Sequence, residues 1–249
     1  MGRALITGAS SGLGREMARL LDQQGHEVVL VARSTDALED LASDLSSATV
    51  IGADLATPEG RQGVTEAIGS VDVLINNAGF GECGMFAEID EQRSVSMVEL
   101  NCEAVVSLTR SYLPGMLERG SGRIMNIAST AAFQPGPTMA VYYASKAFVL
   151  SFTEAVAEEV RGSGVTATAF CPGAFTSGFQ DAAHAGNTRL IKGRTLPSSA
   201  EIARAALKAM EAGAVVRVPG LTNKIGALSP RFTPRAATRR VVRFIQGPA

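Results

Sequence analysis

Short apolar, β-branched runs alternate along the chain with longer stretches of mixed character. The runs are Arg3–Thr7, Glu27–Ala32, Ala48–Ala53, Val71–Asn76, Arg123–Ala128, Val165–Phe170 and Ala214–Val218. Several, such as VVLVA and DVLIN, are apolar at nearly every position, as in strands buried on both faces of a parallel sheet. The stretches between them, Gly14–Gln24, Asp36–Leu45 and Ala140–Arg161 for instance, are long enough for helices. Strands alternating with helices make right-handed βαβ units. The pattern therefore predicts an α/β fold: a doubly wound, mostly parallel seven-stranded sheet with helices on both faces. The spacing stays even to about residue 172, without linker or repeat, so we expect one domain over residues 1–249.

Two regions break the rhythm. Residues 173–197 are rich in Gly, Ala, Thr and Ser and show no period, and we expect them to form a substrate lid. Residues 219–249 form a basic tail. After Glu211 there is no acid but seven bases, Arg217, Lys224, Arg231, Arg235, Arg239, Arg240 and Arg243. Up to Glu211 the chain carries 16 bases and 24 acids, a net charge of −8, against +7 for everything after it. Arg235–Gln246 reads as a short basic amphipathic helix with Val241, Val242, Phe244 and Ile245 on its apolar side.

Composition narrows the function. With 46% apolar and 19% charged residues among 249, the chain is neither disordered nor fibrous. A net charge of −1 gives no global field for nucleic acid. No run of about 18 apolar residues is present, so no transmembrane helix is expected. No secretory h-region follows Met1. Three scattered cysteines (Cys83, Cys102, Cys171) without CxxC suit small buried fillers in a reducing cytoplasm. Two histidines, His26 and His184, are too few for a multi-histidine metal site and are expected to be structural or solvated. The acid–base group is then expected to be another residue type.

The first strand runs into Thr7-Gly8-Ala9-Ser10-Ser11-Gly12-Leu13-Gly14 and a helix. Glycines there let the chain turn tightly and let a pyrophosphate approach the backbone, and the helix N-terminus offers free N–H groups. Gly8, Ser10, Ser11, Gly12, Leu13 and Gly14 are thus candidate cofactor-binding residues. At the end of the second strand, an acid would bind the adenosine ribose 2′-OH, whereas an arginine would accommodate a 2′-phosphate. Ala32-Arg33 stands there, so Arg33 points to NADP (NADPH) over NAD.

Tyr142 and Lys146 lie four apart and share a helix face. A neighbouring ammonium favours phenolate and lowers a phenol pKa, which would fit Tyr142 to exchange a proton with a carbonyl or alcohol oxygen. Tyr143 has no cation four residues on and reads as core or pocket wall. Ser129 ends the fifth strand, where ligands of such sheets sit, and its hydroxyl could hold the substrate oxygen. No His/Asp pair is at hand to make it a nucleophile, which excludes a serine hydrolase.

These residues, in this order, resemble the short-chain dehydrogenase/reductase family, with a Rossmann-type fold, over roughly residues 3–218. The glycine loop matches at Thr7–Gly14, and Asp54-Leu55 resembles the pair that contacts adenine. Asn76-Asn77-Ala78-Gly79 is similar to the family's NNAG signature, making Asn77, Ala78 and Gly79 cofactor-binding by resemblance. Asn101, Ser129, Tyr142 and Lys146 match the catalytic asparagine, serine, tyrosine and lysine. Pro172-Gly173 matches the motif beside the nicotinamide, with Phe175 and Ser177 expected at its amide and phosphate. Ser177 stands where threonine is commoner. Ser129–Pro137 with Val218-Pro219-Gly220 also resembles a bacterial DltE-like subgroup.

The resemblance implies an NADP-dependent oxidoreductase acting on CH–OH donors. Lys146 would bind the nicotinamide ribose and lower the Tyr142 pKa, and Asn101 would hold a water in a proton relay. A homodimer or homotetramer is expected. Walls from Phe80, Met85, Phe86, Phe133, Met139, Phe175 and Phe179 favour an apolar ketone, aldehyde or alcohol. One alternative is a 3-oxoacyl-thioester reductase, whose acidic carrier protein would meet Arg189, Lys192 and Arg194 of the lid. Another is a non-enzymatic NADP(H) sensor, which would not need Tyr142 or Lys146. The tail is read as a solvated end or cover for the last strand, as an oligomer contact, or as a weak anionic-membrane contact.

Overall fold

The computed structural model describes residues 2–178, 183 and 195–247. Its centre is a seven-stranded sheet in the order β3-β2-β1-β4-β5-β6-β7, parallel at every pairing. The strands are β1 (Arg3–Thr7), β2 (Glu27–Ala32), β3 (Ala48–Gly52), β4 (Val73–Asn76), β5 (Gly122–Ile127), β6 (Val165–Phe170) and β7 (Val216–Arg217). Helices α1 (Gly12–Gln23), α2 (Thr35–Ser43), α3 (Pro58–Ala67), α4 (Glu91–Val98), α5 (Ala104–Glu118) and α6 (Ala140–Glu159) connect the first six strands. Beyond them are α7 (Ser199–Glu211), α8 (Leu221–Leu228) and α9 (Arg235–Gln246). No helix among the described residues is long and apolar enough to cross a membrane.

Alternation along each strand sorts the core. Ile6, Leu30 and Ile75 face one layer, made of Met17 and Leu21 of α1, Leu38 and Leu41 of α2, and Leu207 and Met210 of α7. Leu5, Val29 and Leu74 face the other, made of Val64 of α3, Leu108 and Met116 of α5, and Val156 of α6. Side-chain caps mark where some of the helices start. Thr57 accepts from the Gly60 amide ahead of Pro58 in α3, and Ser198 with Glu201 forms a capping box on α7.

Strand order reverses between β1 and β4, opening a crevice at the carboxyl ends of the strands. A buried polar chain fixes that end: Asn76 Nδ2 donates to Asn126 Oδ1 at 2.8 Å, and Asn126 Nδ2 donates to Thr153 Oγ1 at 2.9 Å. It ties β4 and β5 to α6.

Most boundaries fall within two residues of those expected from the pattern, and Arg235–Gln246 is helical over that span. The last strand is the main difference. Of Ala214–Val218 only Val216 and Arg217 pair, against Ala169 and Phe170.

Candidate active site

A cleft of about 530 Å³ runs along the strand ends. At one end it is lined by Arg33, Ser34, Asp54 and Leu55, and in the middle by Gly8, Ser10, Ser11, Gly12 and Leu13 with Asn77, Ala78 and Gly79. At the other end lie Ser129, Tyr142 and Lys146, faced by Pro172, Gly173, Phe175 and Ser177. Residues spread over the chain thus share one groove.

The first turn is held by side chains spent on backbone. Thr7 Oγ1 accepts from the amides of Asn77 and Ala78 at 3.0 and 2.9 Å. Asn77 Nδ2 donates to the carbonyls of Thr7 and Gly8 at 2.9 and 3.2 Å. Asn77 therefore locks the loop through its side-chain amide nitrogen. Gly8 needs its freedom: φ is +67°, and a Cβ would stand 2.9 Å from the Ala78 Cα. Gly14 does not line the cleft. A Cβ there would stand 2.3 Å from the Gly8 oxygen, so its absence lets α1 pack against the loop.

The donors of this turn fit a phosphate. Ser11 is the N-cap of α1 yet makes no side-chain cap hydrogen bond, which leaves the helix-end N–H groups facing the cleft. Arg33 is exposed at the rim, with no ion-pair partner among the described residues. Asp54 Oδ1 accepts from the Ala56 amide at 3.0 Å, shaping the turn after β3.

At the far end, Ser129 follows β5 and caps a 3-10 turn over Thr130–Phe133, accepting from the Ala131 amide at 3.1 Å. Tyr142 sits in the first turn of α6 and Lys146 one turn later. The Lys146 ammonium is buried, donates to the Ile127 carbonyl at 2.8 Å, and lies 5.8 Å from the centre of the Tyr142 ring. Tyr143 points into a small cluster with Met139, Ala131 and Val242.

Asn101 lies behind the wall, in a π-helical turn over Glu99–Glu103, a kind of irregularity frequent at functional sites. Its amide donates to the Phe80 carbonyl at 2.9 Å and the Ser145 hydroxyl at 3.0 Å, and its oxygen accepts from the Phe80 amide at 3.1 Å. A Cβ on Gly79 would stand 2.9 Å from Asn101 Oδ1 and 3.4 Å from Lys146 Nζ, so both side chains crowd that glycine.

The electrostatics correct one expectation. The Tyr142 phenol is pushed up to about 12, chiefly by burial and further by Tyr143; a hydrogen bond with Ser129 pulls the other way. Burial outweighs any help from the lysine, and Lys146 is itself lowered to about 8 by burial. At neutral pH the pair is phenol and ammonium, with the phenol able to donate a proton. Cys171 is pushed up to about 12 and Cys102 is raised, both mainly by burial, so neither offers a thiolate.

Sequence reading did not find Gln246. It is buried, lines the cleft, and donates to the Tyr143 hydroxyl across 103 residues of chain. Nor did it find Asn223, which packs on Gly173 and donates to the Pro219 carbonyl at 2.8 Å. The signal was there: Thr238, Val242 and Gln246 are the uncharged i, i+4, i+8 stripe of a basic helix. The tail is folded onto the cleft. Of the expected walls, Phe80, Met139 and Phe175 line it, whereas Met85 and Phe86 are exposed and Phe133 packs into the core. Phe179, His184, Arg189, Lys192 and Arg194 lie outside the described residues.

A family profile described as short chain dehydrogenase matches residues 3–187. The chain belongs to the short chain dehydrogenase family. It is thus an oxidoreductase of the class acting on CH–OH donors. Ketoacyl reductase HetN from Nostoc sp. is 38% identical over 179 residues, covering 68% of this chain and 62% of that protein. A solved short-chain dehydrogenase from Sphingobium yanoikuyae, in complex with NADPH, has a TM-score of 0.83 at 30% identity, covering 93% of this chain and 94% of its own. The bulky-bulky ketone specific alcohol dehydrogenase from Comamonas testosteroni has a TM-score of 0.78 at 31% identity, covering 89% and 87%.

Proposed function

We propose that this short-chain dehydrogenase interconverts an apolar, bulky ketone or aldehyde and its alcohol, using NADP(H). The observation that carries the reading is the make-up of the cleft. Around Ser129 and Tyr142 its walls are Phe80, Leu100, Ala131, Met139 and Tyr143, and the one charge at that end among the described residues is Lys146. Among the described residues, sugar phosphates and acids would find no counter-charge there except the lysine needed beside Tyr142. The bulky-ketone enzyme from Comamonas supports the same substrate class.

Arg33 supports NADP(H): it is an exposed guanidinium just past β2, without an ion-pair partner among the described residues, where a 2′-phosphate would need a cation. The NADPH complex of the Sphingobium relative agrees. Gly8–Leu13 would hold the pyrophosphate, Asp54 and Leu55 the adenine, and Pro172, Gly173, Phe175 and Ser177 the nicotinamide end. NADP(H) bound there would supply the hydride chemistry. Tyr142 gives the proton to the substrate oxygen in reduction and takes it in oxidation. Ser129 hydrogen-bonds the same oxygen. Lys146 binds the ribose, and Asn101 fixes the π-helical turn beside it for proton relay.

We read residues 1–249 as one domain, with 173–197 as lid. A homodimer or homotetramer fits Val95, Val98, Val106 and Phe148, which stay exposed on α4–α6. Free thiols at Cys83, Cys102 and Cys171 fit a reducing cytoplasm.

A second reading, 3-oxoacyl-thioester reduction, is favoured by the likeness to a ketoacyl reductase. One screen separates them. NADPH consumption, followed at the dihydronicotinamide band, is measured with bulky ketones, aldehydes and 3-oxoacyl thioesters. Turnover of bulky ketones above the thioesters is expected; the reverse order would overturn the first reading in favour of the second.

A further inference from the structure

We propose that α8, the 3-10 turn over Ser229–Arg231 and α9 form a docking face for an anionic lipid bilayer. Leu221, Ile225 and Leu228 stand at i, i+4 and i+7 on α8, and they are 74%, 61% and 50% exposed. Phe232, just past the turn, is 86% exposed. The opposite side of α8 is the one used by the fold, with Ala227 buried and Asn223 against Gly173. On α9 the inner stripe Thr238, Val242 and Gln246 is buried, while the next stripe exposes Val241 at 54%. The apolar side of each helix is thus wider than the part the fold covers.

Charge decides what covers it. Lys224, Arg231, Arg235, Arg239, Arg240 and Arg243 are exposed on these same elements, and no acid follows Glu211. A two-fold contact with a second copy would set this uniformly basic face against itself, and like charges repel. A surface that is apolar a few ångströms down and negative at its top meets both features, as an anionic bilayer does. The sides of α8 and α9 turned away from this face border the cleft: Asn223 packs on Gly173 and Gln246 lines the substrate end.

The test is co-sedimentation of the full chain with vesicles of phosphatidylcholine alone or mixed with phosphatidylglycerol. We expect binding to the mixed vesicles only, falling as salt rises. Each neutralised arginine is expected to weaken binding about fivefold, so Arg239→Gln/Arg240→Gln/Arg243→Gln loses roughly 100-fold. Leu221→Ser/Ile225→Ser should weaken it as well; both sites are exposed, and unchanged NADPH affinity will show that the variant is folded. No binding to the mixed vesicles overturns the proposal, as does equal binding by the parent and both variants. Two further results would overturn it. One is an oligomer, seen by light scattering, that Leu221→Ser/Ile225→Ser dissolves while vesicles are ignored. The other is binding of a purified acidic acyl carrier protein without vesicle binding. Vesicle binding is read without turnover, so it stands or falls apart from the substrate class.

Discussion

The phosphate-facing end of the cleft and the end at Tyr142 are built from different materials. The first is backbone: two strand ends and the α1 N-terminus, held by Thr7 and Asn77 within one hydrogen-bonded knot. The second is side chains gathered from β5, α6 and the far C-terminal segment, with Tyr143 and Gln246 joined across the whole fold. A backbone site is spelled by a short motif, because glycine and a turn suffice to make it. A side-chain site is spelled by packing between distant segments, so it can differ between relatives that share the first.

The largest effect should come from the side-chain end. Tyr142→Phe removes the proton and leaves the backbone end alone. Turnover should fall about 10²–10⁴-fold, the usual contribution of a placed acid–base group, while NADPH affinity by fluorescence titration stays within twofold or so. Turnover near the parent's level would remove Tyr142 from its role.

Arg33→Asp probes the other end. Losing a charge-assisted hydrogen bond worth about 1.5–3 kcal/mol should weaken NADPH binding about 10–100-fold, with NADH gaining on it. An unchanged preference would mean that another cation reads the 2′-phosphate.

Lys146 links chemistry to stability. Its folded pKa of about 8 is below the ordinary 10.5 because the ammonium is buried. Below pH 8 both folded and unfolded chains hold the proton, and folding bears the desolvation cost in full. Between about 8 and 10.5 the unfolded chain binds the extra proton, so stability rises with pH across that window. Lys146→Met should therefore raise the thermal midpoint at pH 7, by about 2–4 °C for each kcal/mol relieved. The gain should shrink towards pH 10.5, and a gain that is flat with pH would show that the buried charge is not its source.

The smallest effect tests the tail. Gln246→Leu should raise KM about fivefold, one hydrogen bond's worth, for ketones bearing a second polar group. Plain hydrocarbon ketones should be unaffected. A uniform rise for both would mean Gln246 only packs.

Much of this was legible in the sequence for a physical reason. Parallel strands are apolar throughout, the Gly8–Gly14 loop is local, and Tyr142 and Lys146 need only a helix to meet. What escaped was non-local. Gln246 reaches Tyr143 only because α9 folds back. The π-helical turn at Glu99–Glu103 has no periodic signature, and Gly14 shows its packing role only once Gly8 stands behind it. The Tyr142 shift escaped too, since an i+4 spacing says nothing about how dry the site is.

The return of α9 has a consequence for the order in which a newly made chain becomes competent. The glycine loop, Arg33, Ser129 and the α6 pair have all left the ribosome while Gln246 is still unsynthesised. The residues proposed to hold the nucleotide are therefore made before the pocket beside them is complete. Selectivity arrives last, with the final turns of α9, and any fusion placed just after that helix is joined to the wall of the pocket itself.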